Sequence, residues 1–307
     1  RGHNLTMKKY LSIATRPAAF ALLLLLSSAQ YSLYAQTAQP GLDPKLTVER
    51  IFASREFQPE RFGGFEWLKD GDSYAKFEPS AKVKDAQDLV RYQIDTGARS
   101  ILLSADKLIP QGESKPLELD GYDWSPDGKR VLIYTNSRKV WRYNTRGDYW
   151  VLDQTTGKLA KLGGNAKPAT LMFAKFSPDG SRVGYVREND LYVEDAATGK
   201  ITRLTNNGSH TMINGTSDWV NEEEFDLRDC WRWSPDGRSI AFWQFDASGI
   251  EDFILLNNTT GLYPTLTRIP YPKTGTKNAA VRVGVVSAGG GTVHWLDTPG
   301  DPRNNYI

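Results

Sequence analysis

Trp124-Ser125-Pro126-Asp127-Gly128, Phe176-Ser177-Pro178-Asp179-Gly180 and Trp233-Ser234-Pro235-Asp236-Gly237 are three copies of one phrase in a chain of 307 residues. A weaker fourth copy reads Trp67-Leu68-Lys69-Asp70-Gly71. The Asp positions 70, 127, 179 and 236 lie 57, 52 and 57 residues apart, a period that fits propeller blades of roughly 40–50 residues with loop insertions. In each of the three full copies an aromatic strand ends, Pro presets φ, Gly takes the positive-φ position of the turn, and a second strand begins. Those second strands read Val131-Leu132-Ile133-Tyr134, Val183-Gly184-Tyr185-Val186 and Ile240-Ala241-Phe242-Trp243.

A second marker runs in phase with the first. Thr96-Gly97, Thr156-Gly157, Thr198-Gly199 and Thr260-Gly261 are each read as a turn between short apolar strands. Two hairpins per repeat make four strands per repeat, which defines a propeller blade. The expected fold class is therefore all-β, a β-propeller of four-stranded blades with about four blades present. A β-sandwich with turns at similar spacing is the alternative, although it requires no fixed two-hairpin unit.

Composition narrows the function. Lys and Arg number 38 against 36 Asp and Glu, but Arg1, Lys8, Lys9 and Arg16 fall in the first 35 residues, which hold no acidic residue. The remainder carries 34 basic against 36 acidic residues, so nucleic acid is not an expected partner; a phosphate-backbone binder needs a clear basic surplus. With Cys230 alone and three His, an intrachain disulfide framework and a zinc module of the four-cysteine or mixed Cys/His kind are excluded. No cofactor is expected.

The N-terminus reads as a targeting segment. Met7-Lys8-Lys9 precedes the apolar run Ala18 to Leu26, followed by small residues at Ser27, Ser28, Ala29 and Ala35, the order of a secretory signal peptide. The run is shorter than the roughly 20 residues of a spanning helix, with an uncleaved anchor as the alternative. Residues 1–35 are thus assigned to upstream residues plus the signal peptide, and 36–307 to a partial N-terminal propeller in a periplasmic or secreted protein.

Function is sought where the period breaks. From the Gly of each Thr-Gly to the next repeated Asp the chain runs 30 residues (97 to 127), 22 (157 to 179) and 37 (199 to 236). The longest connection holds Gly215-Thr216-Ser217-Asp218-Trp219-Val220-Asn221-Glu222-Glu223-Glu224-Phe225. Asp218 suits an N-cap and carboxylates suit a first helical turn, which predicts a short helix. A solvated acidic turn is one reading of the glutamates. Anchoring by Trp219, Val220 and Phe225 favours the other, capture of an ammonium group whose three N–H donors are shared between two acceptors. A second interruption, Tyr134 to Tyr149, is read as too long for a tight hairpin and carries Trp141-Arg142-Tyr143; alone, Arg142 would be a surface arginine stacked between aromatics.

Together, Asp218-Trp219-Val220-x-Glu222-Glu223-Glu224, the upstream Trp141-Arg142 and the downstream Ile269-Pro270-Tyr271-Pro272-Lys273-x-Gly275 resemble the N-terminal propeller of the dipeptidyl peptidase IV family, over most of residues 45–307. The resemblance implies an eight-bladed propeller above an α/β-hydrolase domain with a Ser, Asp, His triad, releasing N-terminal dipeptides with Pro or Ala in second position. It implies that Glu223 and Glu224 bind the substrate's α-ammonium and Arg142 a substrate carbonyl or carboxylate oxygen. Peptides with a free N-terminus are the implied partners, and a homodimer the implied assembly. Asn221 departs from the family, where an aromatic residue is commoner. The 307 residues contain no G-x-S-x-G nucleophile elbow, so no catalytic residue is assigned; the chain is expected to be a fragment cut in mid-propeller, inactive and unstable in isolation. Two other readings stay open: a non-enzymatic TolB-like propeller, and a tripeptidyl or broader prolyl peptidase of the same clan.

Overall fold

The computed structural model describes residues 45–59 and 63–304; the signal-like segment of residues 1–35 lies outside them. Residues 45–59 belong to a unit of their own, with one π-helical turn at Glu49–Ala53. From Gly64 onward the chain builds antiparallel sheets of four, eight, five and two strands; the eight-stranded one is two four-stranded blades joined through the single pair Gly147 and Leu171.

Blade 1 contains β1 (Phe65–Trp67), β2 (Ser73–Pro79), β3 (Gln87–Gln93) and β4 (Arg99–Leu103). Blade 2 contains β5 (Gly121–Trp124), β6 (Arg130–Val140), β7 (Tyr143–Asp153) and β8 (Leu159–Lys161). Blade 3 contains β9 (Leu171–Phe176), β10 (Arg182–Arg187), β11 (Asp190–Asp195) and β12 (Ile201–Arg203). A short strand, β13 (Met212–Asn214), then pairs with the end of β15 (Ser239–Asp246). Blade 4 is completed by β14 (Trp231–Trp233), β18 (Ala280–Ser287) and β19 (His294–Trp295). Between its second and third strands the chain leaves the blade as a two-stranded ribbon, β16 (Asp252–Asn257) and β17 (Thr265–Pro270).

The repeated phrase folds as expected. At the blade 3 copy the Gly180 amide donates to the Ser177 carbonyl at 2.8 Å, and Gly180 takes φ 69°. Asp179 accepts from the Ser177 hydroxyl (2.5 Å) and the Ser181 amide (3.0 Å). These donors, the Ser177 hydroxyl foremost, lower its pKa to about 2. The weak copy at Trp67 makes the same turn, with Asp70 accepting from Asp72 and Ser73. Two residues after the Gly stands an arginine in two repeats, and each reaches into the next blade. Arg130 donates to the Gly180 carbonyl at 3.0 Å, and Arg182 to the Gly237 carbonyl at 2.7 Å. These two turns thus carry a tie to the next blade, which the sequence reading missed although the Gly-x-Arg spacing recurs.

The core lies between blades, because alternate residues of a strand face opposite neighbours. On β10, Val183 and Tyr185 join a cluster with Leu132, Tyr149 and Val151 of blade 2, while Val186 joins Trp231, Ile240 and Phe242 of blade 4. Gly184 faces blade 4 as well, and a Cβ there would stand 2.6 Å from the Trp231 ring. The absent side chain makes the space that the indole fills. Cys230 is buried just before β14, and burial pushes its thiol pKa up.

Two expectations need correction. Thr260-Gly261 does not close the outer hairpin of blade 4; it lies in the loop at the tip of the β16–β17 ribbon. The other three markers have Gly at φ 66°, 74° and 72° (Gly97, Gly157, Gly199), whereas Gly261 takes no positive φ. Blade 4 turns instead through Ala288-Gly289-Gly290, where Gly290 has φ 87°. The second correction concerns Tyr134 to Tyr149, expected to be too long for a tight hairpin but closed by one. The ladder of β6 and β7 continues through two register shifts to Val140 opposite Tyr143, around the two residues Trp141 and Arg142. The outer part of this hairpin is mostly polar, so it carries little of the apolar alternation that marks a half-buried strand.

In an antiparallel four-stranded blade, the first and third turns share one end. The middle turn and the crossover to the next blade share the other. The repeated turns therefore cluster at one end of the blades, and the Trp141-Arg142 turn and the 204–230 crossover meet at the opposite end.

Candidate functional site

The acidic stretch forms a helix, α1 (Trp219–Phe225). Asp218 caps it as expected, its Oδ1 accepting from the Asn221 amide at 3.1 Å and from the Asn221 side chain at 2.8 Å. Asn221, the residue that departs from the family pattern, thus braces the cap. Asp226 ends the helix in the left-handed region at φ 53°. Burial raises the pKa of Asp218, against the Asn221 donors that lower it. Trp219 anchors the helix from the side; its ring centroid lies 4.2 Å from that of Tyr271, which Phe253 of the ribbon also contacts at 5.6 Å.

Successive residues of an α-helix are rotated by about 100°, so three consecutive glutamates face three directions. Glu222 is buried beneath the helix. Glu223 is 8% exposed at its side chain and forms an ion pair with Arg142, itself 64% exposed. Glu224 is exposed and makes no hydrogen bond or ion pair among the described residues.

The Trp141-Arg142-Tyr143 turn docks on this helix residue by residue. The Arg228 guanidinium sits 4.5 Å from the Trp141 ring centroid. Arg142 pairs with Glu223, and the Tyr143 hydroxyl donates to Asp226 Oδ1 at 2.9 Å. The structure thus brings the three residues singled out from the sequence, Arg142, Glu223 and Glu224, to one end of the molecule. Sequence reasoning missed the supporting set of Trp141, Glu222, Asp226 and Arg228. The positive φ of Trp141, 52°, has no local sequence signal, because no glycine or asparagine marks it.

Glu223, Glu224 and Arg142 together carry one net negative charge, which matches one ammonium group. An ammonium has three donors to distribute, and carboxylate oxygens each accept more than one hydrogen bond, so Glu223 can keep Arg142 and accept a cation as well. The exposed remainder of the Arg142 guanidinium offers donors to an oxygen beside that cation. Among the described residues no cluster of three or more His, Cys, Asp or Glu is arranged to hold a metal ion.

Comparison with known proteins gives the context. The family model described as the dipeptidyl peptidase IV (DPP IV) N-terminal region matches residues 125–307. Dipeptidyl aminopeptidase B of Saccharomyces cerevisiae is 32% identical over 264 residues, which make up 81% of this chain and 30% of that protein. Human prolyl endopeptidase FAP is 28% identical over 248 residues, 80% of this chain and 30% of that protein. The crystal structure of Porphyromonas gingivalis dipeptidyl peptidase 4 superposes with a TM-score of 0.72 at 24% identity, covering 85% of this chain and 36% of that one, and shares its fold. The chain spans about 30% of the length of the curated relatives it matches.

Proposed function

The chain belongs to the dipeptidyl peptidase IV family, and from that premise we propose that it is the part of a serine exopeptidase that grips the substrate's N-terminus. One observation carries the reading: at the end of the blades opposite the repeated turns, Arg142 and Glu223 meet in an ion pair, with the exposed Glu224 next in sequence on the same capped helix. Glu223 and Glu224 take the α-ammonium, and Arg142 takes a carbonyl or carboxylate oxygen of the same peptide. A carboxylate clamp at a fixed distance from a nucleophile in another domain works as a ruler. Only a chain whose amine ends two residues before the scissile bond satisfies both ends.

The test compares kcat/KM of the full-length peptidase for a Gly-Pro amide, its N-acetylated form and an Ala-Ala-Pro amide. Acetylation removes the cation and is expected to lower kcat/KM at least about tenfold, the order of one charge-assisted hydrogen bond. Equal rates with and without the acetyl group would sink the reading, and faster release from Ala-Ala-Pro would move it to a tripeptidyl peptidase. Because the protonated amine is the bound form, activity falls as pH rises past the amine pKa, at about 8.

Export to the periplasm or cell exterior is part of the proposal and rests on residues 7–35. So is a homodimer, supported by the ribbon, where Leu256, Leu262, Tyr263 and Leu266 are all exposed. Contiguous exposed apolar surface marks an interaction site. Sedimentation is expected to show a dimer for the parent and a monomer for Leu256→Ser with Leu262→Ser; identical sedimentation removes the ribbon from the contact.

A further inference from the structure

The clamp uses two of three adjacent glutamates. The third, Glu222, has a side chain 0% exposed and faces Arg228, which is 9% exposed, with 3.0 Å between Oε2 and Nε. This is a close charge pair without aligned hydrogen bonds. Among the described residues neither Glu222 oxygen, nor Arg228 Nε, nor Ser217 Oγ finds an aligned partner. Burial raises the Glu222 pKa, opposed by Arg228 and by the nearby Arg142 amide, and burial lowers that of Arg228 to about 10. Such a pair is a poor source of stability, since dehydrating two ions is offset only by excellent geometry and full hydrogen bonding.

Its location is more telling than its energy. Trp141 holds φ at 52°, a conformation that a bulky side chain keeps only where its surroundings impose it. Those surroundings are the buried pair. Arg228 donates to the Ser217 carbonyl, which fixes it at the entrance to α1, and stacks on the Trp141 ring. Glu222 faces Arg228 from beneath α1 at 3.0 Å and holds its guanidinium in that place. The pair therefore grips the turn through the Trp141 ring, with Arg228 as the contact and Glu222 behind it.

We propose that Glu222 and Arg228 are positioning residues that lock the Trp141-Arg142 turn onto α1 and so place the Arg142 guanidinium beside Glu223. This inference rests on the clamp reading above and adds a second layer beneath it. Being buried, neither residue touches the substrate. Without them the turn relaxes and the clamp loses its geometry. The bond-breaking step, carried out elsewhere in the full-length enzyme, is left alone.

Two variants of the full-length peptidase test this. Glu222→Gln removes one charge at nearly constant shape. The double variant Glu222→Met with Arg228→Leu replaces both buried charges by apolar side chains, a change that buried ion pairs commonly tolerate without loss of stability. In both, KM for Gly-Pro amides is expected to rise about fivefold or more while kcat stays within about twofold, the pattern of lost uniform binding. The unfolding temperature of the double variant is expected at or above that of the parent. A purely structural pair predicts instead that the folded double variant has the parent KM. That result overturns the inference, as does a fall in kcat at unchanged KM. Glu224→Ala is assayed in parallel: if it too is silent, the clamp reading itself has failed, whereas a damaged Glu224→Ala beside silent Glu222 variants rejects the positioning role alone.

Discussion

Glu224→Ala in the full-length enzyme is expected to lower kcat/KM for Gly-Pro amides by tenfold or more without disturbing the fold. Glu224 is exposed and has no partner among the described residues, so none of their contacts depends on its carboxylate. The whole loss falls on the bound ammonium. A hydrogen bond to a charged group contributes about 1.5–3 kcal/mol, and about 1.4 kcal/mol is a factor of ten. Glu223→Ala is expected to cost at least as much, because it also strips Arg142 of its counter-charge. The two variants separate the contributions: loss at Glu224 measures the cation contact alone, and the excess at Glu223 measures the orientation of Arg142. Near-parent kcat/KM for both would remove the glutamates from substrate binding.

The largest effect on stability is expected at Trp231. It is 1% exposed, lies over Gly184 of the neighbouring blade, stacks under Lys175 at 3.9 Å and meets Trp233 edge-on at 6.0 Å. Trp231→Ala empties the contact between blades 3 and 4, and Gly184 offers no side chain that could move in to fill it. Truncations of this kind cost about 3–5 kcal/mol. The measurement is the shift of the urea unfolding transition of the propeller. A cost below about 1 kcal/mol, in the range of ordinary surface substitutions, would mean that the two blades do not depend on this ring. A double change with Gly184→Leu tests the same contact from the other side, since a side chain at residue 184 suits the space only once the indole is gone.

Blade number and the helix are legible in the sequence because each has a local chemical cause. Pro-Asp-Gly dictates a turn wherever it stands, and Asp218 three residues before Asn221 dictates a cap. The ribbon escapes for the converse reason. Thr260-Gly261 has the right composition for an outer-hairpin turn, but composition does not state which strand follows, and residue 261 does not adopt the conformation that makes Gly necessary. The long β6–β7 hairpin is hidden because its outer half is polar and its turn is made by Trp141 and Arg142, residues with no turn signature. At the site, Arg142, Glu223 and Glu224 are found through resemblance. The division of labour among the three glutamates is invisible in the sequence, since identical side chains at consecutive positions are distinguished only by which way the helix faces, and Trp219 packing on Tyr271 decides that.

The separation of the two ends of the blades bears on how such proteins can change. Substitutions at the repeated-turn end meet the same physical demand in every blade, a tight turn with Gly at positive φ. The opposite end has no common template, and the β16–β17 ribbon has been accommodated there within one blade while its four strands stayed in register. Novelty can accumulate at one pole of the molecule with little disturbance to the other. Periodicity in the chain thus marks the pole that builds the scaffold, and the places where the rhythm fails mark the pole that gathers Arg142, Glu223 and Glu224.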